Sequence, residues 1–408
     1  MPSAQTHVIV GASLAGAKAA ETLRGEGFDG AIVLIGAETE RPYERPPLSK
    51  DYLLGKAGRD TIYVHPADWY DQHDVDLRLG DAVTALDPAA HEVRLAGGGR
   101  VGYARLLLAT GSSPRRLPVP GADLDGVLYL RRVGDSDRLK AAFAAAGKVV
   151  VIGGGWIGLE TAAAARAAGA EVTVLEAAEL PLLRVLGPEV AQVFATLHRE
   201  HGVDLRCGVE VAAVTGRDGR VAGVELSDGS VIPADVVIAG VGITPNVGLA
   251  VAAGLAEANG IQVSAALRST DPDIFAAGDV VRAFNPVLGR RITIQHWSNA
   301  LNGGPAAARS MLGQAVSYDR VPYFFTDQYD LGMETAGLPE PGAYDQVAYR
   351  GHPESGEFIA FWLSGGTLVA GMNVNVWDVN DTIQALIRAG GPVDVARLTD
   401  PGVPLGEV

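Results

Sequence analysis

The sequence predicts an α/β chain of two parallel-sheet units of like construction, followed by a smaller α+β segment. Three observations predict it. A β-branched run, Val149-Val150-Val151-Ile152, leads into Gly153-Gly154-Gly155-Trp156-Ile157-Gly158, an alanine-rich helical stretch, and a second apolar run from Glu171 to Leu175 that ends on Glu176. The same order of parts occurs earlier, between His7 and Ile35. From about Tyr318 the pattern changes, and Phe358 to Leu363 and Thr367 to Val376 flank Ser364-Gly365-Gly366, a hairpin signal.

Composition narrows the class. A chain of 408 residues carries two or three domains, and 48% hydrophobic with 20% charged residues is an ordinary globular balance. A net charge of −15 argues against nucleic acid or an anionic membrane as the partner. The one cysteine, Cys207, excludes a disulfide framework and any C-x-x-C redox pair, and it reads as a small packing residue. No apolar run approaches the roughly 18 residues that span a bilayer, and the opening lacks a basic segment followed by an apolar one. The expectation is a cytoplasmic chain.

In the first unit, His7 to Val10 is a strand, Gly11-Ala12-Ser13-Leu14-Ala15-Gly16 a turn, and a helix runs to about Arg24 before the strand Ala31 to Ile35. Ser13 replaces the middle glycine of G-x-G-x-x-G; its Cβ fits if φ is negative, and its hydroxyl can donate to a phosphate. Glu38 follows the second strand, placed to hold a ribose. Glu40 to Lys50 contains three prolines, Pro42, Pro46 and Pro47, which forbid a regular helix or central strand. It is either a solvated connection or a fixed loop that aims Arg45 and Lys50 at a bound group. Asp60 to Gly80 offers little periodicity. Val83 to Leu86 and His91 to Leu95 read as short antiparallel strands, and Leu106-Leu107-Leu108 as a buried strand that ends at Ala109-Thr110-Gly111 before a crossing at Pro114 and Pro118.

In the second unit each part has a physical task. Gly153 permits the tight turn, Gly155 lets a pyrophosphate approach the backbone, and Gly158 lets helix and strand pack closely. The helix N-terminus offers free N–H groups and a positive dipole end. Glu176 can accept from a ribose 2′-hydroxyl and would repel a 2′-phosphate, which favours NAD(H). Leu180 to Arg184 reads as a loop, then a helix to about His201, with strands at Val203 to Leu205, Glu210 to Val214, Gly223 to Leu226 and Val236 to Ile238. Ala239 to Asn246 is a second crossing. Gly278-Asp279 ends an apolar segment, where the carboxylate either accepts from a ribityl hydroxyl or caps a helix at Val280. Thr382 to Arg388 reads as a helix. Two such units in one polypeptide imply two bound dinucleotides and electron passage between them: two Rossmann-like dinucleotide-binding domains plus a C-terminal α+β domain.

The motifs VGASLAGAKAAETL (Val10 to Leu23), RPPLSK (Arg45 to Lys50), LLLATG (Leu106 to Gly111), VVIGGGWIGLE (Val150 to Glu160), VIAGVGITPN (Val237 to Asn246), IFAAGD (Ile274 to Asp279) and YFFTDQYD (Tyr323 to Asp330) occur in that order. Together they resemble the two-dinucleotide-binding flavoproteins of the glutathione reductase superfamily. More closely the chain is similar to the putidaredoxin reductase-like enzymes that serve 2Fe–2S ferredoxins of bacterial oxygenase systems. The resemblance covers essentially the whole chain. It implies FAD in a split domain, residues 1–111 and 241–317, NADH in residues 112–240, and an interface domain in 318–408.

By matching position, the resemblance puts Ala15, Glu38, Lys50, Val83, Arg131, Asp279 and Trp297 against FAD, with Arg45 a further contact; Gly11, Ser13, Gly16, Ala109, Thr110, Gly111 and Gly278, from the motifs themselves, are candidates for the same site. Gly153, Gly155, Ile157, Gly158, Glu160, Glu176 and Gly242 fall around NADH. The ribose carboxylate of some relatives falls at Ala37, so either Glu38 takes that role or the contact is lost. Lys50 and Glu160 are expected to form a charge pair near the flavin N5; a bland reading leaves Glu160 in the first turn of its helix, favoured by the dipole.

Relatives that reduce disulfides carry cysteines near Leu48-Ser49-Lys50; this chain has none there, so electrons must leave the flavin directly. The expected partner is a 2Fe–2S ferredoxin, and through it a haem-thiolate monooxygenase or Rieske oxygenase. Tyr323, Phe325 and Trp377 are candidate aromatic contacts at the exit, and Arg282, Arg290, Arg291, Arg309 and Arg320 a candidate basic patch for an acidic partner. The alternatives are a same-scaffold reductase of rubredoxin, a quinone, monodehydroascorbate or oxygen, and a slow NADH-sensing flavoprotein like apoptosis-inducing factor.

Overall fold

The computed structural model describes residues 6–408, and the chain divides into two compact units. The first is assembled from Met1–Glu44, Arg59–Ser113 and Ile243–Arg320, the second from Arg45–Gly58, Pro114–Gly242 and Val321–Val408.

The first unit is built on a parallel sheet in which Thr6–Val10 lies between Ala31–Gly36 and Arg105–Leu108. Val75–Leu79 extends the sheet beyond Ala31–Gly36, and Ile274–Ala276 extends it beyond Arg105–Leu108. Val8, Ile9, Leu34, Leu106 and Leu107 are fully buried, as strands covered on both faces require. The helices Leu14–Gly25 and Trp297–Met311 approach closely through small residues: a Cβ added to Gly304 would lie 2.2 Å from the Ala15 carbonyl oxygen. Val83–Asp87, Glu92–Leu95 and Arg100–Gly102 form a separate antiparallel sheet, as the first two were expected to.

The second unit holds another five-stranded parallel sheet, ordered Asp204–Cys207, Glu171–Glu176, Lys148–Ile152, Val236–Ala239 and Val127–Leu128. Its helices include Val133–Phe143, Trp156–Ala167 and Leu183–Glu200. Residues beyond Val321 form a five-stranded antiparallel sheet, with the expected Glu357–Ser364 and Thr367–Val374 hairpin inside it. Trp362, fully buried in this sheet, donates from its indole N–H to the Leu186 carbonyl at 3.1 Å. The helix expected near Thr382 spans Asn380–Ala389.

Some elements differ from the sequence expectation. Pro46–Ser49 forms a single 3₁₀ turn, which tolerates proline at its first two positions because those N–H groups have no helical partner. The helix after Glu176 begins at Leu183, inside the segment read as loop, and is kinked at Gly187, whose φ of +75° no regular helix contains. The strand Val75–Leu79 and the helix Val133–Phe143 were not anticipated.

Candidate active site

Each unit carries one glycine turn between a parallel strand and a helix. In the first, Gly11 has φ +121°, and a Cβ there would sit 2.1 Å from the Ala109 oxygen; at Gly16 it would sit 2.1 Å from the Gly11 oxygen. Ser13 has φ −126°, the negative value that lets a side chain replace the middle glycine. In the second, Gly153 has φ +104° and Gly158 packs so closely that a Cβ would meet the Gly153 oxygen at 2.0 Å. Gly155 differs: the nearest atom to its added Cβ is the Gly240 oxygen at 4.0 Å, so the backbone there can be approached closely. Neither helix receives a side-chain cap from Ser13 or Gly155. First-turn N–H groups without a side-chain cap suit a pyrophosphate, and both turns therefore fit a dinucleotide. Ile157, in the first turn of the second helix, is 42% exposed.

Glu176 stands where the ribose acid was expected. Its Oε2 accepts from Gly154 N–H at 2.6 Å and its Oε1 from Ala178 N–H at 2.8 Å. The carboxylate thus holds the glycine turn as well as presenting lone pairs beside it.

Most residues expected around the first dinucleotide fall in the first unit. Glu38 follows the strand Ala31–Gly36 and accepts from the Tyr43 hydroxyl at 2.6 Å, while Ala37 is exposed. The Ala109-Thr110-Gly111 segment is tied to the second crossing: Asn246 Nδ2 donates to the Thr110 carbonyl at 2.9 Å, and Thr110 Oγ1 donates to the Asn246 carbonyl at 2.8 Å. Asp279 accepts from Ser112 Oγ at 2.8 Å, and Gly278 from Asn299 Nδ2 at 3.1 Å. Asp279 lies inside the 3₁₀ turn Gly278–Val280, whose cap position is Ala277, so it is not that turn's N-cap. Trp297 is the first residue of its helix and Val83 the first of its strand.

Arg45, Lys50, Arg131 and Gly242 fall in the second unit. The Arg45 guanidinium donates to the Arg131 carbonyl, and Gly242, at φ +99°, accepts from Arg115 N–H at 2.9 Å.

The expected charge pair is present and buried. Lys50 Nζ lies 2.7 Å from Glu160 Oε1, with side-chain exposures of 14% and 3%. Glu160 sits beyond the first turn of the Trp156–Ala167 helix, so the helix dipole does not account for it. Its Oε1 also accepts from Thr326 Oγ1 at 2.6 Å, and its Oε2 from the Ser49 hydroxyl. Lys50 lies 5.4 Å from the Phe325 ring centroid, and Asp327, an exposed carboxylate, senses both Lys50 and Glu160. Sequence reasoning missed Ser49 and Thr326 as partners; the signal available was a hydroxyl adjoining Lys50 and one inside the aromatic strand Tyr323–Gln328.

Elsewhere, burial pushes the Cys207 thiol pKa up, which disfavours the reactive thiolate. Tyr323 donates to Glu334 at 2.7 Å, and Trp377 is 53% exposed. Of the arginines, Arg309 pairs with Glu26 at 2.8 Å and Arg291 donates to the Val263 carbonyl, while Arg290 is exposed on the hairpin with Val281–Asn285.

A family model described as pyridine nucleotide-disulphide oxidoreductase matches residues 5–304, and one described as reductase C-terminal matches residues 323–408. The chain is 44% identical to the ferredoxin–NAD(+) reductase component of the anthranilate 1,2-dioxygenase system of Burkholderia cepacia, over 99% of each chain. It is 38% identical to putidaredoxin reductase CamA of Pseudomonas putida, over 98% of this chain and 96% of that one. Among solved structures it is similar to the reductase chain of the covalent putidaredoxin reductase–putidaredoxin complex, with a TM-score of 0.95, 38% identity and coverage of 99% and 97%.

Proposed function

Because the chain belongs to the pyridine nucleotide-disulphide oxidoreductase family, we propose that it is an NADH-dependent ferredoxin reductase. It takes a hydride from NADH onto FAD and passes the electrons singly to a 2Fe–2S ferredoxin that feeds a monooxygenase or dioxygenase. The observation that carries this reading is the pair of glycine turns, one in each unit, on helices that lack side-chain caps. The names of the relatives, ferredoxin reductases of dioxygenase and putidaredoxin systems, support the acceptor.

In this reading residues 1–111 and 241–317 bind FAD, 112–240 bind NADH, and 318–408 form the acceptor-facing domain. FAD, when bound, supplies the conversion of a two-electron donor into two one-electron steps. The chain orients and balances charge. Gly11, Ser13 and Gly16 shape the first phosphate site, with Ala15 beside them; Glu38 holds the ribose and Asp279 the ribityl chain. Gly153, Gly155 and Gly158 shape the second site, and Glu176 selects NADH through the 2′-hydroxyl. Arg45, Val83, the Ala109–Gly111 segment, Arg131 and Trp297 complete the FAD contacts, and Ile157 and Gly242 the NADH contacts. Lys50 carries a buried positive charge that favours added negative charge nearby, and Glu160 balances it while offering an acceptor to the nicotinamide carboxamide.

A single cysteine, with its thiol disfavoured as thiolate, supports direct exit of electrons without a dithiol relay. The same lack of a disulfide framework supports a cytoplasmic location; no described helix is long and apolar enough to cross a membrane.

The test is anaerobic. FAD-loaded protein is mixed with NADH and flavin bleaching followed; oxidised 2Fe–2S ferredoxin is then added. Fast bleaching, then flavin reoxidation matched to ferredoxin reduction, is expected. Fast bleaching without ferredoxin reduction would move the reading to a quinone, rubredoxin or oxygen, and bleaching over minutes to the sensor.

A further inference from the structure

A line of side chains in the second unit runs inward to the Glu160 carboxylate. Thr326 Oγ1 donates to Glu160 Oε1 at 2.6 Å and accepts from Gln328 Nε2 at 3.2 Å. Gln328 Oε1 lies 2.8 Å from His198 Nε2, and His198 Nδ1 lies 3.4 Å from the Tyr329 hydroxyl. Thr326, Gln328 and His198 are at most 1% exposed, so water does not reach them to supply substitute partners.

Donor arithmetic fixes the direction of this line. Glu160, facing Lys50, is a carboxylate and can only accept. Thr326 has one hydroxyl hydrogen, and it is used on Glu160; its remaining partner must therefore donate. Gln328 accordingly turns its NH₂ to Thr326 and its oxygen to His198. His198 must then carry its proton on Nε2, leaving Nδ1 to accept from the Tyr329 hydroxyl. Burial pushes the His198 pKa down to about 4, so the imidazole is neutral at pH 7 and Nδ1 is the acceptor. One tautomer, one amide orientation and one hydroxyl rotor are mutually enforced.

The consequence falls on Glu160. A carboxylate offers about four lone-pair positions. Lys50 and Thr326 take both on Oε1, and Ser49 takes one on Oε2. The acceptor direction left over is on Oε2.

We propose that His198 is a positioning residue for the hydride-transfer step: through Gln328 and Thr326 it holds Glu160 Oε1 occupied, so that the carboxylate presents its one open lone pair, on Oε2, to the nicotinamide carboxamide. This rests on the reading that NADH binds beside Glu160. Without the His198 donor, the Gln328 oxygen gains by turning toward Thr326. The Thr326 hydrogen then swings from Glu160 to Gln328, and Oε1 gains an open lone pair that competes with the one on Oε2 for the carboxamide.

The test uses the full FAD-loaded chain. Anaerobic stopped-flow reduction by NADH gives a limiting rate and an apparent Kd. His198→Phe should lower the limiting rate about tenfold, equivalent to one lost hydrogen bond, with Kd changed less than about twofold. His198→Gln, whose amide N–H can donate from the same place, should keep the rate. On a Thr326→Val background, His198→Phe should add nothing, because both act through the same hydroxyl. Nitrogen-15 NMR of wild type needs no variant and should show His198 as the Nε2–H tautomer at neutral pH.

An unchanged rate in folded, flavin-loaded His198→Phe overturns the proposal. So does an equal further loss on the Thr326→Val background, which marks general destabilisation, or an Nδ1–H tautomer in the spectrum. Wild type that NADH does not reduce overturns the functional reading and this inference with it; the other outcomes leave that reading standing.

Discussion

Replacing Glu160 by Gln removes one charge from a buried pair and leaves its shape. Lys50, 14% exposed at its side chain and 2.7 Å from the lost charge, becomes a cation with no full counter-ion beside it. Breaking a buried ion pair from one side costs about 3–5 kcal/mol. The low end applies, because the exposed carboxylate of Asp327 still senses Lys50 and because Gln keeps an acceptor for the Ser49 or Thr326 hydroxyl. A loss of about 3 kcal/mol at roughly 2–4 °C per kcal/mol for a unit of this size lowers Tm by about 6–12 °C. Differential scanning calorimetry of FAD-loaded protein at pH 7 measures it. The companion variant is Lys50→Met with Glu160→Gln, which removes both charges and should recover about 1–2 kcal/mol of the loss. If Glu160→Gln costs the same with Met at position 50 as with Lys, the pair contributes nothing and the reasoning fails.

Three further outcomes are expected. Glu176→Ala should raise the NADPH-to-NADH ratio of kcat/KM about tenfold; a ratio equal to wild type would sink the selector role. His7 and His198 are both neutral and buried, each pushed down to about 4, by burial first and, for His7, then by the Arg105 charge. Between pH 6.5 and 4 the unfolded chain binds these protons and the folded chain does not, so stability is present above that window and falls as pH drops through it, by about 1–3 kcal/mol per histidine. Tm measured from pH 7 to 5 should fall less steeply in His7→Leu than in wild type, and parallel curves would refute the assignment. Finally, Arg290→Glu should raise the KM for an acidic 2Fe–2S ferredoxin several-fold while NADH reduction of a small dye is unchanged; equal ferredoxin KM values would remove that hairpin from the docking surface.

Much of this was legible in sequence because the relevant constraints are local. The glycine turns need positive φ or close backbone approach within a few residues, so Gly11, Gly16, Gly153 and Gly158 announce themselves. The acids Glu38 and Glu176 follow their strands at short range. The strand Val75–Leu79 was missed because, at the sheet edge, it buries only Val75 fully and shows no clear alternation. The helix Val133–Phe143 opens with Val133 and Gly134 and then a polar run; its N-terminus is fixed by Asp135 in its first turn, which accepts from the Arg131 and Arg132 backbone N–H groups at 3.0 and 2.8 Å. The site's hydroxyls were invisible for another reason. Thr326 and Glu160 are 166 positions apart, and nothing in the period of either element encodes their meeting. Lys50 and Glu160 were identified through resemblance, since no local pattern pairs a residue in a proline-rich turn with one on a distant helix.

The interleaving of the two units has a consequence for how the chain is made. The central sheet of the first unit is closed on one side by Ile274–Ala276, which pairs with Arg105–Leu108. Between Ser113 and Ile243 the ribosome makes a long stretch of the other unit. At about 5–20 residues per second, the roughly 170 residues between Leu108 and Ala276 leave the first unit's edge open for about 8–34 seconds. Over that interval the segment 114–242, whose parallel sheet needs no later strand, can fold first. Flavin loading then becomes a late event in synthesis, and a ribosome stalled before residue 274 would expose an unpaired parallel strand to aggregation.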